Sequence, residues 1–346
     1  MGVLSKLTGG TRYAYITARV RGMKRRLLPK EMYPKLLNME IPEITRLIEE
    51  TEYKKDVDEL ARDYSGTDLV EHALSRNLAM TYRKLLDIST NEPHYLITEY
   101  LRQWDIWNIK TVLRGKYYGA VPEEILKSVV SAGQLRYRDI TEIAKLESVD
   151  GVIAALSHTP YYPVLREYRG GMLSHVENEL DKLYYARLLE SLGDSEGEKL
   201  FLRFLRIEID IKNIKNLFRL KRAGAERDAI MDTLIPGGFE LGMDELVRLA
   251  AMSYQEFSKS IEGHSYWQAI SSFVKDDMGS LRDVEVGLES YSMNYASRIS
   301  HYYPLSILPV MEYMLSKKIE VDNLRIIVRG KATSLSMDII KRHLVM

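Results

Sequence analysis

Residues 104–119 read WDIWNIKTVLRGKYYG, placing two of the chain's three tryptophans beside two tyrosines, Lys110, Arg114 and Lys116. Aromatic faces interleaved with basic groups can stack on bases or hold phosphate oxygens. The same residue types also suit a packed helix whose basic end meets the negative end of its own dipole. Recurrence separates the two readings, since a base-reading or catalytic cluster is normally unique in a chain.

This one recurs. WNIKTVLRGK at 107–116 matches KNIKNLFRLK at 212–221 and DNLRIIVRGK at 322–331, with separations of 105 and 110 residues. Asn108, Asn213 and Asn323 hold one position, and Ile109, Ile214 and Leu324 the next. Arg114, Arg219 and Arg329 follow at a fixed distance. A second marker, Ile44–Ile48–Thr51–Tyr53, returns as Val152–Leu156–Thr159–Tyr161 and Phe257–Ile261–His264–Tyr266. A third, Val176-Glu177-x-x-Leu180, returns as Val284-Glu285-x-x-Leu288. Near-constant spacing of independent markers is the mark of an internal repeat. The expected units are 1–118, with a basic N-terminal segment, then 119–223 and 224–346. The asparagines then read as local hydrogen-bonding groups near helix contacts, and the residues after them as inward-facing. Trp104 and Trp107, three apart, share a helix face given over to packing or an interface.

The elements that position these residues are helical. Ile44, Leu47 and Ile48; Leu69, Ala73 and Leu74; Leu173, Val176, Leu180 and Leu183; and Leu200, Phe204, Ile207 and Ile211 recur at three and four residues, which puts each set on one buried helix face. No strand–helix alternation or hairpin pattern is evident, so the fold class is all-α. Tyr118-Gly119-Ala120-Val121-Pro122 and Ile235-Pro236-Gly237-Gly238 read as joints, because glycine and proline each interrupt helix. Ser191–Gly197 reads as a polar, mobile loop.

Other chemistry is sparse. No GxGxxG or GxxxxGK[ST] phosphate loop is present; Gly9-Gly10-Thr11 and Gly170-Gly171-Met172 read as turns. None of the seven histidines pairs at i+4, and His158 and His264 sit at repeat positions that favour a helix end. The acidic runs Glu49-Glu50-Thr51-Glu52 and Asp276-Asp277 read as solvated helix faces or ends. The absence of cysteine removes disulfides, thiolate nucleophiles and thiolate metal sites together. No catalytic residue, cofactor or metal is therefore expected. Lys+Arg and Asp+Glu both total 49 in 346 residues, and this neutrality argues against a dedicated nucleic-acid binder. No apolar run reaches the roughly 18 residues that suggest a membrane span.

The clearest charged feature is N-terminal. Arg12, Arg19, Arg21, Lys24, Arg25, Arg26 and Lys30 fall within residues 12–30 with no acidic residue among them. Such a run is a solvated helix face or a docking surface for an acidic protein or membrane headgroups, with nucleic acid the weaker third reading. Tyr13 and Tyr15 add rigid area suited to an interface.

TARVRGMKRRLL at 17–28, LIEETEYKKDV at 47–57, LSRNL at 74–78 and WDIWNIKTVLRGKYYG together resemble the C subunit of archaeal and bacterial A/V-type rotary ATPases, which is similar to the d subunit of the eukaryotic vacuolar enzyme. The resemblance runs over essentially the whole chain. It implies three pseudo-equivalent helical domains arranged as a funnel, and a non-catalytic part linking the rotating stalk to the membrane proteolipid ring for ion-coupled ATP synthesis or hydrolysis. The implied partners are the central-stalk coiled-coil subunit, its small stalk partner and the ring. The implied place is the cytoplasmic face of the cell membrane, as a peripheral protein, with no nucleic acid and no obligate homo-oligomer. The interface candidates are Arg19, Arg21, Lys24, Arg25, Arg114 and Lys116; Arg219 and Arg329 are counterparts with a structural alternative. KNIKNLFRLK lacks the RGK ending, which argues against three identical contacts. Without the resemblance, the repeat alone supports a soluble helical scaffold or adaptor of another assembly.

Overall fold

The structure, a computed structural model, describes residues 2–274 and 280–346, with side chains from residue 12 onward. Asp276 and Asp277 lie outside the described residues. Among those described, the regular structure is helical and contains no strand.

Long helices alternate with clusters of short ones. Gly66–Asp87, Gln103–Tyr117, Ser174–Glu190, Glu196–Arg222, Leu281–Tyr302 and Leu308–Ala332 are long. Residues 32–60, 122–165 and 227–270 fold into helices of three to nine residues. Most of the apolar spacings read from the sequence land inside: Ile44, Ile48, Leu69, Ala73, Leu74, Leu173, Val176, Leu180, Phe204, Ile207 and Ile211 are buried, whereas Leu47, Leu183 and Leu200 lie at the edges of their faces and are half-buried.

Each basic-ended helix stops in the same way. Beyond Tyr117, Arg222 and Ala332 the chain turns through a left-handed residue, Gly119 (φ +72°), Gly224 (φ +68°) and Ser334 (φ +55°). The next N–H then reaches back five residues: Ala120 to the Gly115 carbonyl at 2.8 Å, Ala225 to Leu220 at 2.9 Å, and Leu335 to Gly330 at 2.8 Å. This is the six-to-one bond of a Schellman motif. It also accounts for the divergent RGK ending. A Cβ on Gly115 would run into the Ile125 side chain, and one on Gly330 would lie 2.6 Å from Ile340 Cγ1. Two of the three helices therefore need glycine for close approach, whereas the middle one carries Leu220.

Two local expectations change. Gly9-Gly10-Thr11 lie within the helix Gly2–Lys24, since glycine lowers helix propensity by about 1 kcal/mol without barring the conformation. Glu196 and Gly197, expected in a mobile loop, begin the helix Glu196–Arg222. Ser195 Oγ accepts from the Glu198 N–H and the Glu198 carboxylate accepts from the Ser195 N–H, both at 3.1 Å. That reciprocal capping box supplies a definite helix start. Gly170 and Gly171 do form a turn, both with positive φ.

By compactness the chain forms two units: residues 1–184 with 316–341, and residues 185–315 with 342–346. This differs from simple succession of repeats because each basic-ended helix docks into a short-helix cluster outside its own segment. The 103–117 helix serves the 122–165 cluster, and the 196–222 helix serves 227–270. Residues 316–332 return to the first cluster.

Candidate interaction surface

A buried carboxylate stands three residues before each repeated asparagine: Asp105, Asp210 and Glu320. Asp105 accepts from the Gln134 N–H at 3.0 Å, the Leu135 N–H at 2.9 Å and the Tyr161 hydroxyl at 2.7 Å. Asp210 accepts from the N–H groups of Phe239, Glu240 and Leu241 and from the Tyr266 hydroxyl at 2.6 Å. Glu320 accepts from the Leu28 N–H and, at 2.6 Å, from the Tyr53 hydroxyl. Gly133 and Gly238 leave room for the two aspartates, because a Cβ at either would collide with the carboxylate.

The asparagines complete these grips. Asn108 donates to the Val130 carbonyl at 2.8 Å and accepts from the Val130 N–H at 2.9 Å. Asn213 does the same with Ile235, both at 2.8 Å. Asn213 satisfies a backbone donor and acceptor that burial would otherwise leave unpaired, whereas the Val130 carbonyl also accepts from the Ala132 N–H at 2.9 Å. Burial raises the pKa of Asp105 and Asp210, with the tyrosine and backbone bonds pulling the other way. Tyr161 and Tyr266 are pushed up by burial and by the adjacent carboxylate. The third grip balances its charge directly: Lys317 Nζ lies 2.8 Å from Glu320 and donates to the Tyr53 hydroxyl at 2.9 Å, all three side chains being buried.

Most basic groups of the repeated stretch are likewise engaged. Arg114 makes two 2.6 Å bonds to Glu177, although 55% of its side chain stays exposed. It lies in the last turn of its helix, and its side-chain bonds go to Glu177 rather than to the terminal carbonyls. Arg329 grips Glu71 through two bonds in the same manner, and Arg325 donates to Ser75 at 2.6 Å. Lys110 meets Asp181 at 2.6 Å and Lys215 meets Glu289 at 2.7 Å. Arg219 instead bonds Asn216 on its own helix. Lys116 is half-buried. Trp104 is buried against Tyr82, with ring centroids 6.0 Å apart, and Trp107 donates to the Ser128 carbonyl at 2.9 Å. Trp104 packs in the interior, while Trp107 stays 47% exposed and is held at its N–H.

The N-terminal run behaves differently. Tyr13, Ile16, Thr17, Val20 and Met23 form the buried stripe of the 2–24 helix. Arg12, Tyr15, Arg19, Arg21 and Arg25 are exposed, and Lys24 is half-buried. Arg12 comes within 3.7 Å of Glu92, and Arg26 pairs with Glu52 at 2.9 Å. Arg19 sits 5.9 Å from the centre of the Tyr15 ring. Among the described residues neither Arg21 nor Arg25 has a carboxylate partner. Burying the apolar stripe fixes the helix and leaves a basic face outward.

Sequence reasoning misses the carboxylates of these grips, although D/E-x-x-N at 105–108, 210–213 and 320–323 carries their signal. Thr51 and Thr159, which the repeat does mark, close their helix ends by donating to the carbonyls of Ile48 and Leu156. No described helix is long and apolar enough to cross a membrane.

These features define an all-helical protein built on a repeated grip, with an exposed basic helix face. The model of the ATP synthase (C/AC39) subunit family matches residues 16–343, and the chain belongs to that family. It is 53% identical over 344 residues to the C subunit of the A-type ATP synthase of Methanococcoides burtonii, covering 99% of this chain and 96% of the relative. The C subunit of the Archaeoglobus fulgidus A-type ATP synthase is 42% identical over 333 residues, covering 96% of each chain. That of Haloferax volcanii is 37% identical over 345 residues, covering 98% of this chain and 99% of the relative.

Proposed function

We propose that this chain is a non-catalytic central-stalk connector of an A-type ATP synthase, joining the rotating stalk to the membrane proteolipid ring. Family membership over nearly the whole chain carries the reading. Its partners are the central-stalk coiled-coil subunit, the small stalk partner and the ring, and its place is peripheral, at the cytoplasmic face of the membrane. A connector under torque needs stiff internal joints, and the buried carboxylate, tyrosine and asparagine grips supply them: each clamps a long helix to a short-helix cluster through several bonds. We further propose three pseudo-equivalent domains, 1–118, 119–223 and 224–346, as the sequence units of this build.

Arg19, Arg21, Lys24 and Arg25 are assigned to the docking face, with Arg114 and Lys116 at its margin. Arg21 and Arg25 lead this set because their guanidinium groups have no carboxylate among the described residues. Exposed charges of one sign orient and accelerate docking to an acidic surface and make it salt-sensitive. The test is binding of the purified chain to the purified central-stalk coiled coil of its own organism across a salt series, beside an Arg21→Glu/Arg25→Glu variant. Saturable binding weakened by the reversal supports both function and face. Saturable binding indifferent to it moves the face toward the ring. No binding to a folded, competent stalk overturns the stalk contact.

A further inference from the structure

One cavity lies apart from all the grips. It has a volume of about 340 Å³, within the first compact unit, and its walls include Tyr64, His72, Ala79, Arg83, Leu126 and Val129. The stripe from His72 to Arg83 follows one side of the 66–87 helix over eleven residues, or about 16 Å at the α-helical rise of 1.5 Å per residue. A space of this volume bordered by a stripe of that length has room for one hydrocarbon chain. Its middle is apolar, floored by Ala79, Leu126 and Val129, and Met80 stands half-exposed at its edge.

The two ends are polar and incompletely satisfied. At one end the Arg83 Nε donates to the Ser131 carbonyl at 3.3 Å, and among the described residues no carboxylate pairs with this guanidinium. Arg76 on the same wall is already committed to Asp56 and Glu59. At the other end His72 is 8% exposed and stacked on Tyr64, with ring centroids 4.0 Å apart. Neither nitrogen of the His72 ring has a hydrogen-bond partner among the described residues. Burial lowers its pKa from the ordinary 6.5, so near neutral pH the ring offers one donor and one acceptor. The ring nitrogens are not fully buried atoms, so a ligand in the cavity can reach them. An apolar slot, an uncommitted guanidinium and a vacant imidazole together specify a ligand.

We infer that this cavity binds a medium-length aliphatic carboxylic acid bearing a distal hydrogen-bonding group, with the carboxylate on Arg83 and the distal group on His72. The apolar middle of the ligand lies along Ala79, Leu126 and Val129. Recognition of a carboxylate by guanidinium supplies orientation, and burial of the chain supplies most of the affinity.

The probes are 12-hydroxydodecanoate and dodecanoate, titrated below their micelle-forming concentrations into the purified full chain by calorimetry. One saturable site is expected, with the hydroxylated acid bound more tightly. Arg83→Gln should weaken both about tenfold, the ratio expected for one lost charge-assisted hydrogen bond of moderate strength. Ala79→Trp should block both by filling the slot. His72→Phe should leave dodecanoate bound and erase the advantage of the hydroxyl. Circular dichroism and melting of each variant establish that it is folded; Arg83→Gln, at the cavity edge, serves should Ala79→Trp not fold. Absence of saturable binding to the parent would overturn the site. So would binding unchanged by Arg83→Gln, or equal affinity for the two acids.

Discussion

Replacing Asn213 by alanine tests the grip at its simplest point. The side chain is fully buried and makes two 2.8 Å bonds to one residue, donating to the Ile235 carbonyl and accepting from its N–H. Truncation leaves both backbone groups in the interior without a partner. Each orphaned group costs about 1–3 kcal/mol. The sum is about 4 kcal/mol, with any cavity term adding to it. At roughly 3 °C per kcal/mol for a unit of this size, Tm should fall by about 12 °C. Far-UV circular dichroism during heating measures this, with Asn38→Ala as control, since exposed Asn38 only donates to the Pro34 carbonyl on its own helix. Asn213→Asp sharpens the test. It keeps the acceptor for the Ile235 N–H, loses the donor and buries a charge, so its deficit should shrink as pH falls and the new carboxyl takes up a proton. A fall in Tm below about 3 °C for Asn213→Ala, equal to the control, would refute the reasoning.

Gly330→Ala should destabilise the parent by about 1–2 kcal/mol, since its Cβ would lie 2.6 Å from Ile340 Cγ1, yet stabilise an Ile340→Ala background, where the clash is gone and alanine's helix propensity remains. Denaturant titration of the four proteins in this cycle reads the change of sign. Asp210 has a folded pKa raised above the ordinary 3.8 by burial, so its contribution is full below that value and is lost as pH rises through the folded pKa. Asp210→Asn should therefore flatten the stability-against-pH curve from about pH 4 upward; an unchanged slope would refute the assignment.

The helical class and the repeat were legible because a buried helix face repeats every three to four residues, and related segments share their landmarks. What lies across from those faces was not legible. Asn108 and Asn213 each find a partner 22 residues away, and Asp105 and Asp210 each find a tyrosine 56 residues away. Nothing local marks such a pairing; only equal spacing in two copies does. Arg114 illustrates the limit from the other side. A basic residue near a helix C-terminus reads as a cap, but Glu177 offers two charge-assisted bonds that the terminal carbonyls cannot match. The basic run at 12–30 was legible as charge, and burial of Tyr13, Ile16, Val20 and Met23 determined which of its members face outward.

The return of residues 316–332 to the first short-helix cluster sets an order on biosynthesis. Tyr53 and Lys317 meet across a separation of 264 residues, and Arg329 reaches Glu71 across 258. Translation therefore delivers the first cluster long before its matching helix. Until that helix leaves the ribosome, Tyr53 lacks its Glu320 and Lys317 partners and the apolar residues around it remain uncovered. The nascent chain carries an open seam from the synthesis of the first cluster until residues 316–332 emerge. A shorter separation in sequence between the cluster and this helix would speed closure of the seam.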